Sequence, residues 1–150
     1  MGVVRFYHLT RSPLDRALSL LAGKAHAAGL RTEVRGATED RLDALDRALW
    51  LGDEAGFLPH GRAGGPHDAM QPVLLTTAQA AAPETRCVMC VDGAPVDPGE
   101  AARHDRTFVL FDGEDAAALD HARGQWTALK GAGLTCEYWS EESGRWAQKA

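Results

Sequence analysis

The residues Val3-Val4-Arg5-Phe6-Tyr7-His8-Leu9-Thr10-Arg11-Ser12-Pro13-Leu14-Asp15 contain the change of pattern that decides the fold. Residues 3–7 are rich in β-branched and aromatic side chains, which predicts a strand. Ser12 is expected to cap a helix, because Pro13 suits a first helical turn and the Asp15 carboxylate can reach back to the cap. A strand followed directly by a helix is the unit from which parallel α/β sheets are built.

The same alternation continues along the chain. The first helix has an apolar stripe at three- and four-residue spacing and is expected to end at Gly29. A second helix begins at Thr38-Glu39-Asp40 and carries Leu42, Leu45 and Leu49. The remaining predicted elements are strands at 32–34, 72–76, 87–91, 107–111 and 134–139, and a long helix at 115–132, followed by a polar tail. We therefore expect one domain over residues 1–150, a three-layer Rossmann-like α/β sandwich with a mainly parallel sheet and helices on both faces.

Residues 51–72 contain many glycines and prolines, and no regular element is predicted there. An irregular segment of that length inside a compact domain is typical of a functional loop. Phe57, Leu58 and Pro59 are apolar, yet no regular structure is expected to bury them. We expect them to form a docking surface, because exposed apolar side chains on a positioned loop are typical of a partner site.

Charge and composition restrict the class of protein. The formal net charge of −5 disfavours direct binding to nucleic acid, which usually requires a basic surface. The chain has three cysteines, no basic segment followed by an apolar run at residues 1–10, and no stretch of 18 apolar residues. These features predict a protein of the reducing cytoplasm that does not bind membranes.

Nucleotide and zinc sites are not expected. The turn at residues 8–12 lacks the glycines that hold phosphate in dinucleotide-binding folds. Gly23-Lys24 is followed by Ala25, where a P-loop needs a hydroxyl, and the pair falls within the first predicted helix. Cys87 and Cys90 have the spacing of half a zinc site, but residues three apart on a strand point to opposite faces, so both are expected in the core.

Other polar groups leave an enzymatic alternative open. His60 and His67 share the long loop with Asp53, Glu54 and Asp68, a set that a small metal-dependent hydrolase could use. No known ligand spacing connects them, so solvated loop histidines are the preferred interpretation. Asp92 and Asp112, each at the end of a strand, could line a crevice, although Asp-Gly favours a turn. We predict no catalytic residue, metal or cofactor.

The last predicted helix carries two stripes. Ala118, Ala122 and Leu129 form its core face, whereas Leu119, Arg123, Trp126 and Lys130 lie about 100° around the helix. The second stripe suits an acidic peptide with an apolar end, because Arg123 can hold a carboxylate while Trp126 contacts an apolar side chain.

Two other interpretations of this stripe remain. In the first, Trp126 only covers the core and the charges are solvated. In the second, Trp126 and Trp139 stack on single-stranded DNA, which the net charge disfavours.

Several motifs, in this order and spacing, resemble one family over nearly the whole chain: Phe6-Tyr7-His8-Leu9, Leu45-Asp46-Arg47-Ala48-Leu49-Trp50, Phe57-Leu58-Pro59-His60-Gly61, Gln71-Pro72-Val73-Leu74-Leu75, Ala122-Arg123 with Trp126, Ala132-Gly133, Tyr138-Trp139 and Gly144-Arg145-Trp146. The chain resembles the chi subunit family of the DNA polymerase III clamp loader. The resemblance implies a Rossmann-like fold without a nucleotide and an accessory subunit that is not an enzyme.

The resemblance also implies two partners, with DNA contacted only indirectly. One is the acidic C-terminal tail of single-stranded-DNA-binding protein, expected at Arg123, Trp126, Thr127 and Lys130. The other is the psi subunit, which tethers chi to the clamp loader and is expected at Trp50 and Phe57-Leu58-Pro59. The best-known members of the family carry lysines at the positions of Leu119 and Thr127, so the tail site of this chain is less basic.

Overall fold

Strands and helices alternate along the chain, as the sequence predicts. The computed structural model describes residues 2–51, 60–65, 68–78, 80–141 and 145–150. The elements are β1 (Val3–Leu9), α1 (Leu14–Ala27), β2 (Thr32–Arg35), α2 (Glu39–Leu51), β3 (Gly61–Arg62), a 3-10 helix (Asp68–Met70), β4 (Val73–Thr76), β5 (Cys87–Cys90), α3 (Pro98–Ala101), β6 (Arg106–Asp112), α4 (Ala116–Gly131), β7 (Thr135–Ser140) and β8 (Ala147–Gln148). None of the helices in these ranges has the length and apolar content that a membrane span requires.

One sheet of eight strands organises the molecule, in the order β3-β4-β2-β5-β6-β1-β7-β8. All neighbouring strands are parallel except β7 and β8. The chain leaves β1 through α1 toward β2 and leaves β6 through α4 toward β7, so these two connections run in opposite directions. The predicted Rossmann-like sandwich is thereby confirmed. A crevice lies at the carboxyl ends of the adjacent strands β1 and β6, where the connections that follow these strands diverge.

Each face of the sheet has its own core. On one face, buried residues of α1 and α2, among them Leu18 and Leu42, pack on Tyr7, Val34 and Met89 of the strands. On the other face, which we call the α4 face, Ala122 and Leu129 of α4 pack on strand residues. The strand residues of that second core are Val4, Phe6, Val109 and Phe111. Side chains alternate between the two faces along β1, as the period of a strand requires.

The start of α1 differs from the prediction. Pro13 occupies the cap position, with no side-chain hydrogen bond to the helix, and Ser12 does not cap it. The Ser12 hydroxyl instead donates to Glu141 Oε2 at 2.7 Å, across 129 residues of sequence. The predicted helix end at Gly29 is confirmed, because this glycine follows the C-cap with a φ of +76°, a conformation that other residues rarely adopt.

The irregular segment and the polar tail hold more structure than the sequence predicts. Within residues 51–72, α2 continues to Leu51, β3 pairs with β4, and the 3-10 helix follows. The predicted polar tail contains β8, and the neighbouring Trp146 packs against Tyr7 with ring centroids 5.3 Å apart. Two- to four-residue elements are too short to show a hydrophobic period, which is why the pattern missed them.

Cys87 and Cys90 lie on opposite faces of β5, as predicted. Cys87 packs in the core under α1 and α2, whereas Cys90 packs with Val88 and Ala94 on the other face. Burial raises the pKa of each thiol to about 12, so neither is a thiolate near neutral pH.

Candidate functional site

A groove runs beside α4 on the α4 face of the sheet and encloses about 450 Å³. Its walls come from three strands, from α4 and from the segment after β8. The lining residues are Phe6, Phe111, Leu119, Ala122, Arg123, Trp126, Thr127, Tyr138 and Ala150. We call this cavity the α4 groove.

Three aromatic rings form the floor of the α4 groove. Trp126 meets Phe6 edge to face, with centroids 5.3 Å apart and planes at 71°. It meets Tyr138 in the same way, at 6.0 Å and 82°. Such edge-to-face pairs favour one relative orientation of the rings. The floor is therefore a preformed apolar surface that includes the half-buried Trp126.

Cations stand at the rim of this floor. The Arg123 side chain is 71% exposed, and its ion pair with Asp120, which is 81% exposed, is long, at 4.0 Å. The Lys130 ammonium lies 5.1 Å from the centre of the Trp126 ring, within the range of a cation–π contact. No Asp or Glu side chain lines the groove in the described part of the chain. The α4 groove thus combines an apolar floor with positive charge, although the chain as a whole is acidic.

The local sequence of α4 explains this placement. Asp115 caps the helix by accepting from the backbone N–H groups of Ala117 and Ala118. Ala122 and Leu129 are buried, so the predicted core face is confirmed for them, whereas Ala118 is only half-buried. Arg123, Lys130 and Thr127 are exposed. Thr127 donates its hydroxyl to the Arg123 carbonyl at 3.1 Å, which keeps that hydroxyl on the helix backbone.

His8 braces the strand side of the groove. Its Nδ1 atom shares a hydrogen bond with the Tyr138 hydroxyl, and its ring lies 5.2 Å from that of Phe111. A side chain at Gly113 would overlap the His8 ring, so the glycine allows this close packing. Sequence reasoning did not find Phe6, Phe111, Tyr138 or His8 as neighbours of the groove. The available signal was that alternate residues of neighbouring strands share the face that α4 covers.

A second cavity, of about 630 Å³, lies at the carboxyl ends of β1, β5 and β6. This is the crevice at the point where the two crossover connections diverge. Asp92 and Asp112 both line it, and both also make turns. Asp92 has a φ of +53° and precedes Gly93, whose φ is +78°. Arg41 holds the Asp92 carboxylate with two bonds of 3.0 and 3.1 Å, and this contact raises the pKa of Arg41.

Glu141 fills the position beside the crevice where Rossmann folds bind phosphate. Its Oε1 atom accepts from the backbone N–H groups of Thr10, Arg11 and Ser12 at 2.7 to 3.0 Å. Burial raises the pKa of Glu141. The three N–H bonds and the bond from the Ser12 hydroxyl together lower this pKa by more than burial raises it, so the net shift is downward. The anion position at the start of α1 is therefore occupied by a carboxylate of the chain itself.

His60 is buried rather than solvated, which corrects the preferred interpretation of this histidine. It is 4% exposed, its Nε2 atom lies 3.2 Å from Asp46 Oδ1, and its ring lies 4.5 Å from that of Trp50. Asp68 accepts from the backbone of Gly64 and Gly65. His67, Asp53 and Glu54 lie outside the described residues, and within those residues no group of three potential ligands is placed to hold a metal.

The structure does not bring together Trp126 and Trp139, the pair of the disfavoured DNA-stacking interpretation. Trp126 packs on the α4 face, whereas Trp139 stacks on Tyr7 on the opposite face, with centroids 6.3 Å apart. The docking surface expected near the long loop is described only in part. Trp50 and Leu51 are 54% and 85% exposed at the end of α2, while Phe57, Leu58 and Pro59 lie outside the described residues.

Comparison with known proteins identifies the family. A search of curated proteins gave no match. A family model described as "DNA polymerase III chi subunit, HolC" matches residues 1–137 of the 150-residue chain. That match covers β1 to β6, α4 and the beginning of β7, and therefore most of the α4 groove. The chain belongs to the DNA polymerase III chi subunit family, a family of non-catalytic accessory subunits of the replicative polymerase.

Proposed function

We propose that this chain binds the acidic C-terminal tail of single-stranded-DNA-binding protein in the α4 groove and links it to the polymerase III clamp loader. The observation that carries the proposal is an aromatic floor rimmed by Arg123 and Lys130, with no Asp or Glu side chain among the described lining residues. Family membership supports a replication role for such a groove. DNA itself is then held by the partner, in keeping with the net charge of −5.

The groove matches the two chemical parts of such a tail. An apolar side chain of the peptide can displace water from the half-buried rings of Trp126 and Tyr138 in the floor. A carboxylate can accept bonds from Arg123, whose guanidinium has, among the described residues, one long ion pair with Asp120 to give up. Leu119 and Thr127 add no charge, so the attraction depends on few cations and should weaken as salt rises.

Calorimetric titration of a tail peptide into wild-type protein and Arg123→Glu tests the proposal. We expect the variant to lose about 2–5 kcal/mol of binding free energy, because it leaves a tail carboxylate unpaired beside a new negative charge. The melting temperature should stay nearly constant, since an exposed ionic side chain contributes about 0–1 kcal/mol to folding.

Lys24→Glu is the matched control for this titration. Lys24 is exposed on α1, on the other side of the sheet, and its substitution changes the net charge by the same amount. Equal affinity of Arg123→Glu and wild type would refute the α4 groove as the tail site. A large fall in melting temperature would instead show that Arg123 is structural.

A second contact, to the psi subunit or another clamp-loader component, is proposed at the end of α2. Trp50 and Leu51 are apolar and mostly exposed there. In the sequence they precede the segment that includes Phe57, Leu58 and Pro59. Trp50→Ala and Phe57→Ala should each weaken co-purification with the clamp loader and leave tail binding intact. Loss of both activities together would show that this region is needed for folding rather than for docking.

A further inference from the structure

The segment after β8 closes the α4 groove through an irregular pairing with β7. Lys149 and Ala150 both donate their backbone N–H groups to the Tyr138 carbonyl, at 2.6 and 3.4 Å. Tyr138 in turn donates its own N–H to the Ala150 carbonyl at 3.2 Å. Two residues on one strand therefore face a single residue on its partner, which is a β-bulge.

This bulge determines which face of the sheet Lys149 occupies. Trp139 pairs with Gln148 in the antiparallel register, so the next position along β7, Tyr138, faces Lys149. Side chains directly opposite one another on antiparallel strands share a face. Tyr138 lines the α4 groove, and Ala150, the other residue of the bulge, lines it as well. Lys149 is exposed and is thereby placed on the α4 face, beside the Tyr138 edge of the groove.

The charge of Lys149 complements the groove from a different wall. Arg123 and Lys130 both belong to α4, whereas Lys149 belongs to the segment after β8. Of the floor rings, Trp126 belongs to α4, whereas Tyr138 is the residue that Lys149 pairs with on the strand side. A peptide lying on that floor would have positive charge on the strand side as well as on the helix side.

We propose that Lys149 is a specificity-determining cation of the α4 groove, which contacts a second carboxylate of the bound acidic peptide from the strand side. This inference rests on the proposed function. Lys149 is a cation next to the lining residue Tyr138, beside a groove in which Leu119 and Thr127 bring no charge. The family match ends at residue 137, so Lys149 lies outside the matched range.

Titration of the tail peptide into Lys149→Gln and Lys149→Glu tests this inference. Lys149→Gln should weaken binding about two- to five-fold at low salt, the range measured for exposed ion pairs. Lys149→Glu should weaken it further and slow association, because a charge at the rim steers the peptide. Both differences should shrink at high salt. Lys24→Gln is the matched control and should bind like the wild type.

Peptides in which each carboxylate is replaced in turn by its amide supply a sharper measurement. If Lys149 contacts one peptide carboxylate, the peptide that lacks this carboxylate should bind wild type and Lys149→Gln equally well. A different carboxylate should play this part for Arg123→Gln, because Arg123 lies on α4 and Lys149 follows β8. Unchanged affinity in both Lys149 variants, with Arg123-dependent binding intact, would overturn the role of Lys149 alone. No binding by the wild-type protein would overturn this role together with the proposed function.

Discussion

The crevice at the carboxyl ends of the strands and the α4 groove share the side chains of Phe111 and Ala122, yet their charged groups are arranged differently. In the crevice, Arg41 neutralises Asp92. Beside the crevice, Glu141 accepts hydrogen bonds from the backbone N–H groups at the start of α1. In the α4 groove, the ion pair that Arg123 makes within the described ranges is long, at 4.0 Å, and the aromatic floor is open. The customary ligand position of this fold is thus bonded internally, and the surface available to a partner lies on a helix face.

This comparison predicts that residues beside the crevice govern stability, whereas residues of the groove govern binding. Glu141→Ala should give the largest effect. It leaves three partly buried backbone N–H groups without their acceptor, which costs about 3 kcal/mol of the free energy of unfolding. The melting temperature should fall by about 6–12 °C, as measured by circular dichroism.

Tail binding supplies the other half of this test. Below its melting temperature, Glu141→Ala should bind the tail peptide as the wild type does, because Glu141 does not line the groove. Glu114→Ala removes an exposed carboxylate from the turn before α4 and should leave both stability and binding unchanged. A Glu141→Ala variant of normal stability with impaired binding would break the comparison.

Acidification should reproduce part of the stability loss that is expected for Glu141→Ala. The pKa of Glu141 is lowered in the folded protein, so its contribution is present above the pKa of the unfolded chain and disappears as the pH falls through the folded value. The free energy of unfolding, measured in urea from about pH 7 to about pH 3, should therefore fall more steeply for the wild type than for Glu141→Gln. Parallel pH profiles would show that the carboxylate charge is not used.

The smallest effect is expected for the brace of the groove. Tyr138→Phe removes the hydroxyl that bonds His8 and should cost about 1 kcal/mol of stability. The ring remains against Trp126, so tail affinity should change less than about two-fold. Urea denaturation and peptide titration measure the two quantities. A large loss of affinity would mean that the hydroxyl contacts the peptide itself.

The sequence predicts the layers better than the contacts between distant segments. Repeating apolar residues identified α1, α2, α4 and the long strands, because each has enough residues to show a period. The same helical geometry placed Arg123 and Trp126 on one stripe. Ser12 was predicted to cap a helix and bonds Glu141 instead, since its true partner is 129 residues away. His60 was expected in solvent because no local pattern shows that Asp46 and Trp50 enclose it.

The cations near the groove also divide into those that local sequence spacing predicts and one that it does not. Arg123 and Lys130 are seven residues apart on one helix, so sequence spacing alone brings them to one side. The bulge opposite Tyr138 places Lys149 on the α4 face beside the groove, and a bulge depends on a pairing register that the polar tail does not reveal.

The outermost strands of the sheet, β3 and β8, have only two residues each. Exposed strand edges are templates for pairing with another chain, and short edges reduce that tendency. A sheet of eight strands could otherwise polymerise or recruit an extended peptide as a ninth strand. Recognition in the α4 groove uses side chains instead, so its selectivity depends on which residues line the groove and can change by substitution without altering the sheet.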